Sequence, residues 1–204
     1  KDLIAIPSIN PMRPSSGEAA EGAAIDYLEA LLQRERIDCE RQMVVDGREN
    51  LVAVVHATAG GSDSGGLLLN SHIDTVPVAD MTIDPFDPVL KDDRIFGRGS
   101  CDAKASIAAM LTALLTHAQR PNRPRPVLFL ATVDEEFSFS GSRRFIERQW
   151  PVSAAVVGEM TELTNVIVHK GVVRWRLQVR GVSPHGATPA LGRRANYDGA
   201  GGAV

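Results

Sequence analysis

The sequence predicts an α/β domain with a mostly parallel sheet flanked by helices, and two kinds of pattern carry this prediction. Several short apolar runs are bounded by glycine and polar residues, as buried strands are. These runs are residues 50–56, 67–71, 127–133 and 154–158. Stretches with helical spacing of apolar residues lie between them, and strands that alternate with helices are typical of layered α/β domains.

Three helices are predicted from apolar spacing and from boundary signals. The first spans residues 20–32 and follows a capping box of the form Ser-x-x-Glu at residues 15–18. The second spans residues 103–118 and precedes a proline-rich stretch that cannot continue a helix. The third is shorter and covers residues 142–150, whereas residues 84–98 are rich in Pro, Asp and Gly and are predicted to form a loop.

The hydrophobic pattern changes after residue 168. Apolar and polar side chains alternate strictly over residues 173–180, which predicts a strand with one wet face, unlike the buried strands before it. We therefore expect a domain boundary here, with residues 1–168 in the first domain and residues 169–204 in the second.

Composition and charge narrow the class of function. Of the 204 residues, 44% are hydrophobic and 23% are charged, which is typical of a globular protein. The net charge of −3 and the scattered basic residues argue against nucleic acid or an anionic membrane as partners. Cys39 and Cys101 are far apart and outside any Cys-x-x-Cys pair, which favours a reducing, cytoplasmic compartment. The chain starts at Lys1 without Met and stops at Val204, so we expect both ends to be cut.

Two motifs near predicted element ends contain residues of the metal-ligand types. His72 and Asp74 lie two apart at the end of a strand, where they share a face. Asp74 could orient the imidazole of a metal-bound His72, and the alternative is an ordinary surface pair. Asp102 directly precedes the second helix. It could be a helix N-cap, or a carboxylate that bridges two metal ions about 3.5–4 Å apart.

Two further acidic motifs follow predicted strands. Asp134, Glu135 and Glu136 are adjacent carboxylates, and such crowding costs free energy unless cations or solvent relieve it. The motif alone is compatible with a solvated acidic turn or with a metal site. In a metal site Glu136 would ligate a metal and Glu135 would be the general base. Glu159 ends another apolar run.

Considered together, the motifs predict one site. Ligands of open α/β sheets bind at the carboxyl ends of the strands, where four of these residues are expected. They are His72, Glu135, Glu136 and Glu159. One imidazole with several carboxylates suits Zn²⁺, Co²⁺ or Mn²⁺ better than it suits Ca²⁺ or a soft metal.

On these motifs the chain resembles the aminoacylase, acetylornithine deacetylase and succinyl-diaminopimelate desuccinylase family of co-catalytic zinc metallopeptidases. The matching segments are residues 71–77, 97–104, 134–136 and 158–162, in the family's order. The resemblance implies a zinc exopeptidase-like catalytic domain over residues 1–168, followed by the start of an α+β lid or dimerisation domain. It also implies a homodimeric enzyme that hydrolyses an amide bond in a small N-acyl amino acid or dipeptide-like substrate. Residues 158–171 and the stretch around His185 are most similar to acetylornithine deacetylase.

Carried over residue by residue, the resemblance implies two bound divalent ions, zinc first and cobalt or manganese as alternatives. The ligands in this chain would be His72, Asp102, Glu136 and Glu159. Asp102 would bridge both ions, Asp74 would orient His72, and Glu135 would take a proton from the bridging water. His185 matches a lid histidine that stabilises the oxyanion in a neighbouring subunit.

The family's fifth ligand is a histidine that follows the lid, and in this protein it would lie beyond Val204. Residues 1–204 alone are therefore expected to bind one metal ion more tightly than the other and to lack turnover. Other functions are a dipeptidase or carboxypeptidase of the same family, or a non-catalytic homologue that binds a metal or a partner. The presence of Glu135 favours catalysis, and a serine hydrolase is disfavoured because no Gly-x-Ser-x-Gly motif occurs.

Overall fold

The computed structural model describes residues 1–12, 20–45 and 47–173. The chain divides into two compact units, Lys1–Thr164 and Asn165–Val204. Helices and strands lie in the first unit, and the described part of the second unit, residues 165–173, contains neither. Within the described ranges, no helix has the length and apolar character needed to cross a membrane.

The first unit alternates strands and helices along the chain. Its helices are α1 (Asp2–Ala5), α2 (Gly22–Arg34), α3 (Lys104–Ala118) and α4 (Ser140–Glu147). Its strands are β1 (Asp38–Val45), β2 (Arg48–Val55), β3 (Gly66–His72), β4 (Val89–Lys91), β5 (Arg94–Phe96), β6 (Val127–Thr132) and β7 (Val152–Val157). The three predicted helices correspond to α2, α3 and α4, and the four predicted strands correspond to β2, β3, β6 and β7.

Five strands form one sheet in the order β1-β2-β6-β3-β7. Strand β3 runs parallel to β6 and β7, whereas β2 is antiparallel to β1 and β6. Four of the five strands therefore point in the same direction and β2 alone is reversed, so the predicted mostly parallel sheet with flanking helices is confirmed. Strand β6 is apolar except for Thr132, and β3 is apolar over residues 66–69, because both faces of these central strands are covered.

Helices cover both faces of this sheet. Leu28 of α2 and Ile107 of α3 are fully buried in the same cluster as Phe129 of β6. The next residue of β6, Leu130, points to the opposite face, where it packs with Phe145 of α4. Each such side chain contributes about 1.5–3 kcal/mol by leaving water, so the two faces together hold β6 at the centre of the unit.

Two regions differ from the sequence prediction. Residues 84–98, predicted as a loop, contain the β4–β5 hairpin, whose strands of three residues each are exposed and too short to show a period. The sequence pattern does not indicate β1, because it is an edge strand with partly exposed charged residues and no clean alternation. The capping box predicted at residues 15–18 and most of the strand predicted at 173–180 lie outside the described residues.

The carboxyl ends of β3, β6 and β7 meet at one edge of the sheet. Pairing of His72 with Thr132 aligns β3 and β6, and pairing of Asn70 with Val157 aligns β3 and β7. The segments that follow these three strands therefore begin side by side. This edge is where the predicted metal-binding motifs come together.

Candidate metal centre

His72 is the last residue of β3, and its side chain is buried at the centre of the site. Its Nδ1 lies 2.9 Å from the backbone carbonyl of Asp74, which fixes the plane of the ring. Its Nε2 lies 2.9 Å from Asp102 Oδ1 and 3.7 Å from Glu159 Oε1. The imidazole is therefore directed at carboxylates that come from two other segments.

Asp74 is fully buried, and its carboxylate does more than face His72. The distance from Asp74 Oδ1 to His72 Nδ1 is 3.5 Å, too long for a strong hydrogen bond. The carboxylate instead accepts the backbone N–H groups of Glu135 and Glu136, at 3.1 Å each, and the amide of Asn10 at 2.7 Å. Burial opposes ionisation, but the nearby His72 and the hydrogen bond from Asn10 outweigh it and lower the pKa of Asp74. The backbone carbonyl of Asp74 thus orients the His72 ring, and the side chain of Asp74 holds the acidic turn.

Asp102 lies in the turn before α3, and its peptide bond to Ala103 is cis. The N-cap of α3 is Ala103, and no side-chain capping hydrogen bond is present there. Asp102 therefore does not cap the helix, and its carboxylate is engaged by His72 instead. Of the two interpretations that the sequence leaves open, the geometry favours the ligand.

The acidic run 134–136 divides into one buried residue and two residues that face the site. Asp134 takes a left-handed conformation with φ of 60°, which Asp tolerates better than most residues. Its carboxylate is turned inward, where it accepts hydrogen bonds from Arg48 at 3.0 Å and Ser140 at 2.6 Å. The repulsion expected among three adjacent carboxylates is relieved because Asp134 points away from Glu135 and Glu136 and is paired with a cation.

Glu159 is positioned by the close packing of the end of β7 against α3. The N–H of Gly158 donates to Asn70 O at 2.7 Å, which continues the pairing of β7 with β3. A Cβ atom at Gly158 would lie 2.7 Å from the Cβ of Ser106 and 2.9 Å from Met110 Cε, so only glycine fits there. This packing places the Glu159 carboxylate beside His72.

Two groups of ligand atoms result, and within each group all the atoms lie within 4.8 Å of one another. The first group is His72, Glu135 and Glu136, and the second is His72, Asp102 and Glu159. All four predicted metal ligands and the predicted base therefore occur in one place. His185, the predicted lid histidine, lies outside the described residues.

The electrostatics of this cluster reflect an excess of negative charge. Burial alone would lower the pKa of His72, but Asp102, Asp74 and Glu159 outweigh it and raise that pKa to about 11. Burial, and next the charge of Asp102, raises the pKa of Glu136 to about 7. A site in which carboxylates repel one another around one imidazole is stabilised by a bound cation.

The donor set fits a divalent transition metal. An imidazole nitrogen surrounded by carboxylate oxygens is the chemistry that Zn²⁺, Co²⁺ and Mn²⁺ accept. The contact from His72 Nδ1 to a backbone carbonyl is also the support that metal-bound histidines use in proteins. On both observations these residues suit a metal.

Sequence reasoning missed the residues that support the site from behind. Asn10 lies in a proline-containing segment that has no periodic pattern. Arg48 and Glu21 form an ion pair whose side chains are 3% and 1% exposed. The one available signal was a charged residue at the start of the apolar strand β2, since a buried charge requires a partner.

The comparison with known protein families identifies the family of this chain. A family model described as "Peptidase family M20/M25/M40" matches residues 68–196, more than half of the chain. The chain belongs to this peptidase family. The resemblance drawn from its motifs is therefore confirmed.

Similar proteins from bacteria share the acetylornithine deacetylase name. The chain is 35% identical over 198 residues to the acetylornithine deacetylase of Klebsiella pneumoniae (strain 342), which covers 95% of this chain and 50% of that protein. It is 36% identical over 180 residues to the acetylornithine deacetylase of Myxococcus xanthus, covering 85% of this chain and 46% of that protein. The chain thus spans about half the length of these relatives.

Solved structures of the same class share the fold. An M20 family metallo-carboxypeptidase from Sulfolobus solfataricus has a TM-score of 0.62 at 20% identity, over 76% of this chain and 35% of that one. A tripeptidase from Staphylococcus aureus has a TM-score of 0.60 at 21% identity, over 95% of this chain and 51% of that one. At these identities the likeness concerns the fold alone.

Proposed function

We propose that this chain is the metal-binding part of an amidohydrolase that removes an acyl group from a small N-acyl amino acid, in the manner of an acetylornithine deacetylase. One observation carries the proposal: His72 meets the carboxylates of three separate segments at the carboxyl edge of the sheet. The names of the relatives support the substrate class. Since the chain spans half their length, activity and substrate are proposed for the whole protein.

We assign the metal ligands as two overlapping sets. His72, Asp102 and Glu159 would hold one divalent ion. Glu136, which lies beside His72 and Glu135 and within reach of the charge of Asp102, would hold a second ion together with Asp102. Zinc is the proposed metal, and cobalt or manganese would suit the same donors. When bound, such ions lower the pKa of water and polarise a carbonyl oxygen.

The protein's own groups complete the reaction. Glu135 accepts a proton as the water attacks the carbonyl carbon and later donates it to the leaving amine, so the amide C–N bond breaks and a carboxylate and an amine are released. Asp74 holds Glu135 in place through the Glu135 N–H. The proposed role of His185, from a neighbouring subunit, is to donate a hydrogen bond to the oxyanion of the tetrahedral species.

Several wider features belong to the same proposal. Residues 1–168 would form the metal-binding catalytic domain, and residues 169–204 would begin a lid domain that mediates a homodimer. The fifth metal ligand would be a histidine in a later part of the protein. A cytoplasmic location is proposed because Cys39 and Cys101 are unpaired thiols in the described structure, as expected in a reducing compartment.

The test is Glu135→Gln in the complete protein. We expect turnover to fall by about 10²- to 10⁴-fold, because the variant keeps the shape but loses the proton acceptor. Metal content should stay normal, since Glu135 is not assigned as a ligand. Glu162→Gln is the matched control, because Glu162 is an exposed carboxylate in the same acidic region with no assigned role.

The assay compares N-acetylornithine and other N-acetyl amino acids with dipeptides, using metal-loaded enzyme. Preferred cleavage of dipeptides would assign the protein to the peptidases instead. Activity retained in Glu135→Gln would refute the base, and a wild-type protein that binds two ions but cleaves no amide would refute the function.

A further inference from the structure

We propose that Asn10 is a positioning residue for the turn that carries Glu135 and Glu136, and that it acts through the buried carboxylates of Asp74 and Asp134. This inference rests on the proposed function for its catalytic consequence. Asn10 comes from the segment before α2, and its two carboxylate partners, Asp74 and Asp134, are in neither group of potential metal ligands. It reaches the site from a part of the chain that no motif singles out.

The position of Asn10 is fixed by contacts with groups other than the two carboxylates. It is fully buried, its N–H donates to Thr75 O at 2.8 Å, and the N–H of Thr75 donates to Ser8 O at 2.9 Å. The side-chain Oδ1 accepts the N–H of Met12 at 2.9 Å. This contact sets which end of the amide faces the site, so the Nδ2 group must point toward the carboxylates.

Both hydrogens of the Asn10 amide nitrogen are used. Nδ2 donates to Asp74 Oδ2 at 2.7 Å and to Asp134 Oδ1 at 3.1 Å. These partners are 64 and 124 residues away in the sequence. One neutral side chain therefore bridges two buried negative charges.

Each bridged carboxylate holds a different part of the turn. Asp74 accepts the backbone N–H groups of Glu135 and Glu136. Asp134 accepts the hydroxyl groups of Ser138 and Ser140 through its other oxygen. Releasing either carboxylate would free the backbone from which the base and a metal ligand project, and such supporting bonds determine how precisely a site is organised.

Asparagine is the residue type that this position requires. A carboxylate of the same shape would replace the donor by an acceptor and place three negative groups together in a buried space. Arg48 donates to Asp134 and to Glu21, whereas Asn10 donates to both Asp74 and Asp134 and so links these two carboxylates. The bridge accordingly depends on a neutral double donor.

The experiment uses Asn10→Asp, which inverts the donor, and Asn10→Ala, which removes it without adding charge. Ser8→Ala is the matched control: Ser8 is equally buried in the same segment, and its hydroxyl donates to Ile73 O at 2.7 Å without touching either carboxylate. The first readout is hydrogen exchange at the amides of Glu135 and Glu136 in the metal-free protein. We expect exchange about tenfold faster in both Asn10 variants than in the control.

The second readout is Co²⁺ affinity, measured by absorption titration, together with kcat and KM in the complete protein. Co²⁺ affinity and kcat should each fall by about 10- to 100-fold in the Asn10 variants, with KM changed far less, because the supporting contact orients the site and does not touch substrate. Exchange rates and Co²⁺ affinity equal to those of Ser8→Ala in both variants would overturn the proposal. If no amide is cleaved by any form, the proposed function fails, while the exchange rates still decide the role of Asn10.

Discussion

Replacing Glu21 by Gln would leave the guanidinium of Arg48 buried without its main counter-charge. The Arg48 Nε lies 2.8 Å from Glu21 Oε2 and 3.1 Å from Oε1, and the exposed fractions of the two side chains are 3% and 1%. Removing one partner of a buried ion pair costs about 3–5 kcal/mol, because the remaining charge stays desolvated. Asp134 still contacts Arg48 at 3.0 Å, so we expect the lower end, about 3 kcal/mol of the free energy of unfolding.

Urea unfolding of the metal-free protein at neutral pH measures this loss. The comparison is Glu35→Gln, which breaks the Arg34–Glu35 pair, whose side chains are 74% and 41% exposed. A surface pair of this kind contributes about 0–1 kcal/mol, so the two variants should differ by at least about 2 kcal/mol. A Glu21→Gln variant that unfolds with the same free energy as Glu35→Gln would refute the reasoning, because it would mean that water solvates Arg48 in the folded protein.

Three further predictions concern the site and its packing. Asp102→Ala should remove both metal ions, because both would share this ligand in the proposed assignment; two filled sites by anomalous scattering would contradict the bridging role. Burial lowers the pKa of Lys104 to about 8 from 10.5, so the unfolded chain binds the extra proton between these values and stability rises with pH there. The free energy of unfolding of wild type relative to Lys104→Met, from urea unfolding, should therefore increase by about 2 kcal/mol from about pH 7 to about pH 9.5; a constant difference would show that Lys104 keeps an ordinary pKa. Gly158→Ala should weaken Co²⁺ binding about tenfold, because its Cβ meets Ser106 at 2.7 Å and displaces the strand end; Gly171→Ala, which has open space around it, should not, and equal affinities would contradict the packing argument.

The sequence alone predicted the class of fold and the residues that the structure brings together in the candidate site. A buried strand is recognised by an apolar run, and a helix is recognised by a 3.6-residue period of apolar residues. Both patterns reflect burial within a single element. Once the parallel strands were placed, His72, Glu136 and Glu159 had to lie at one edge of the sheet, since parallel strands end together. Ligand chemistry then pointed to a divalent metal.

The contacts that support this site are visible only in the folded structure. In the folded chain β2 runs antiparallel to its neighbours, and Asp134 points inward toward Arg48. The Asp74 carboxylate accepts a hydrogen bond from the backbone of the acidic turn. The fold also brings in Asn10, whose partners lie 64 and 124 residues away. The physical reason is that a hydrogen bond between distant segments leaves no period in either of them. Its donor and acceptor are specified by the folded arrangement of the chain, in which each buried polar group must find a partner.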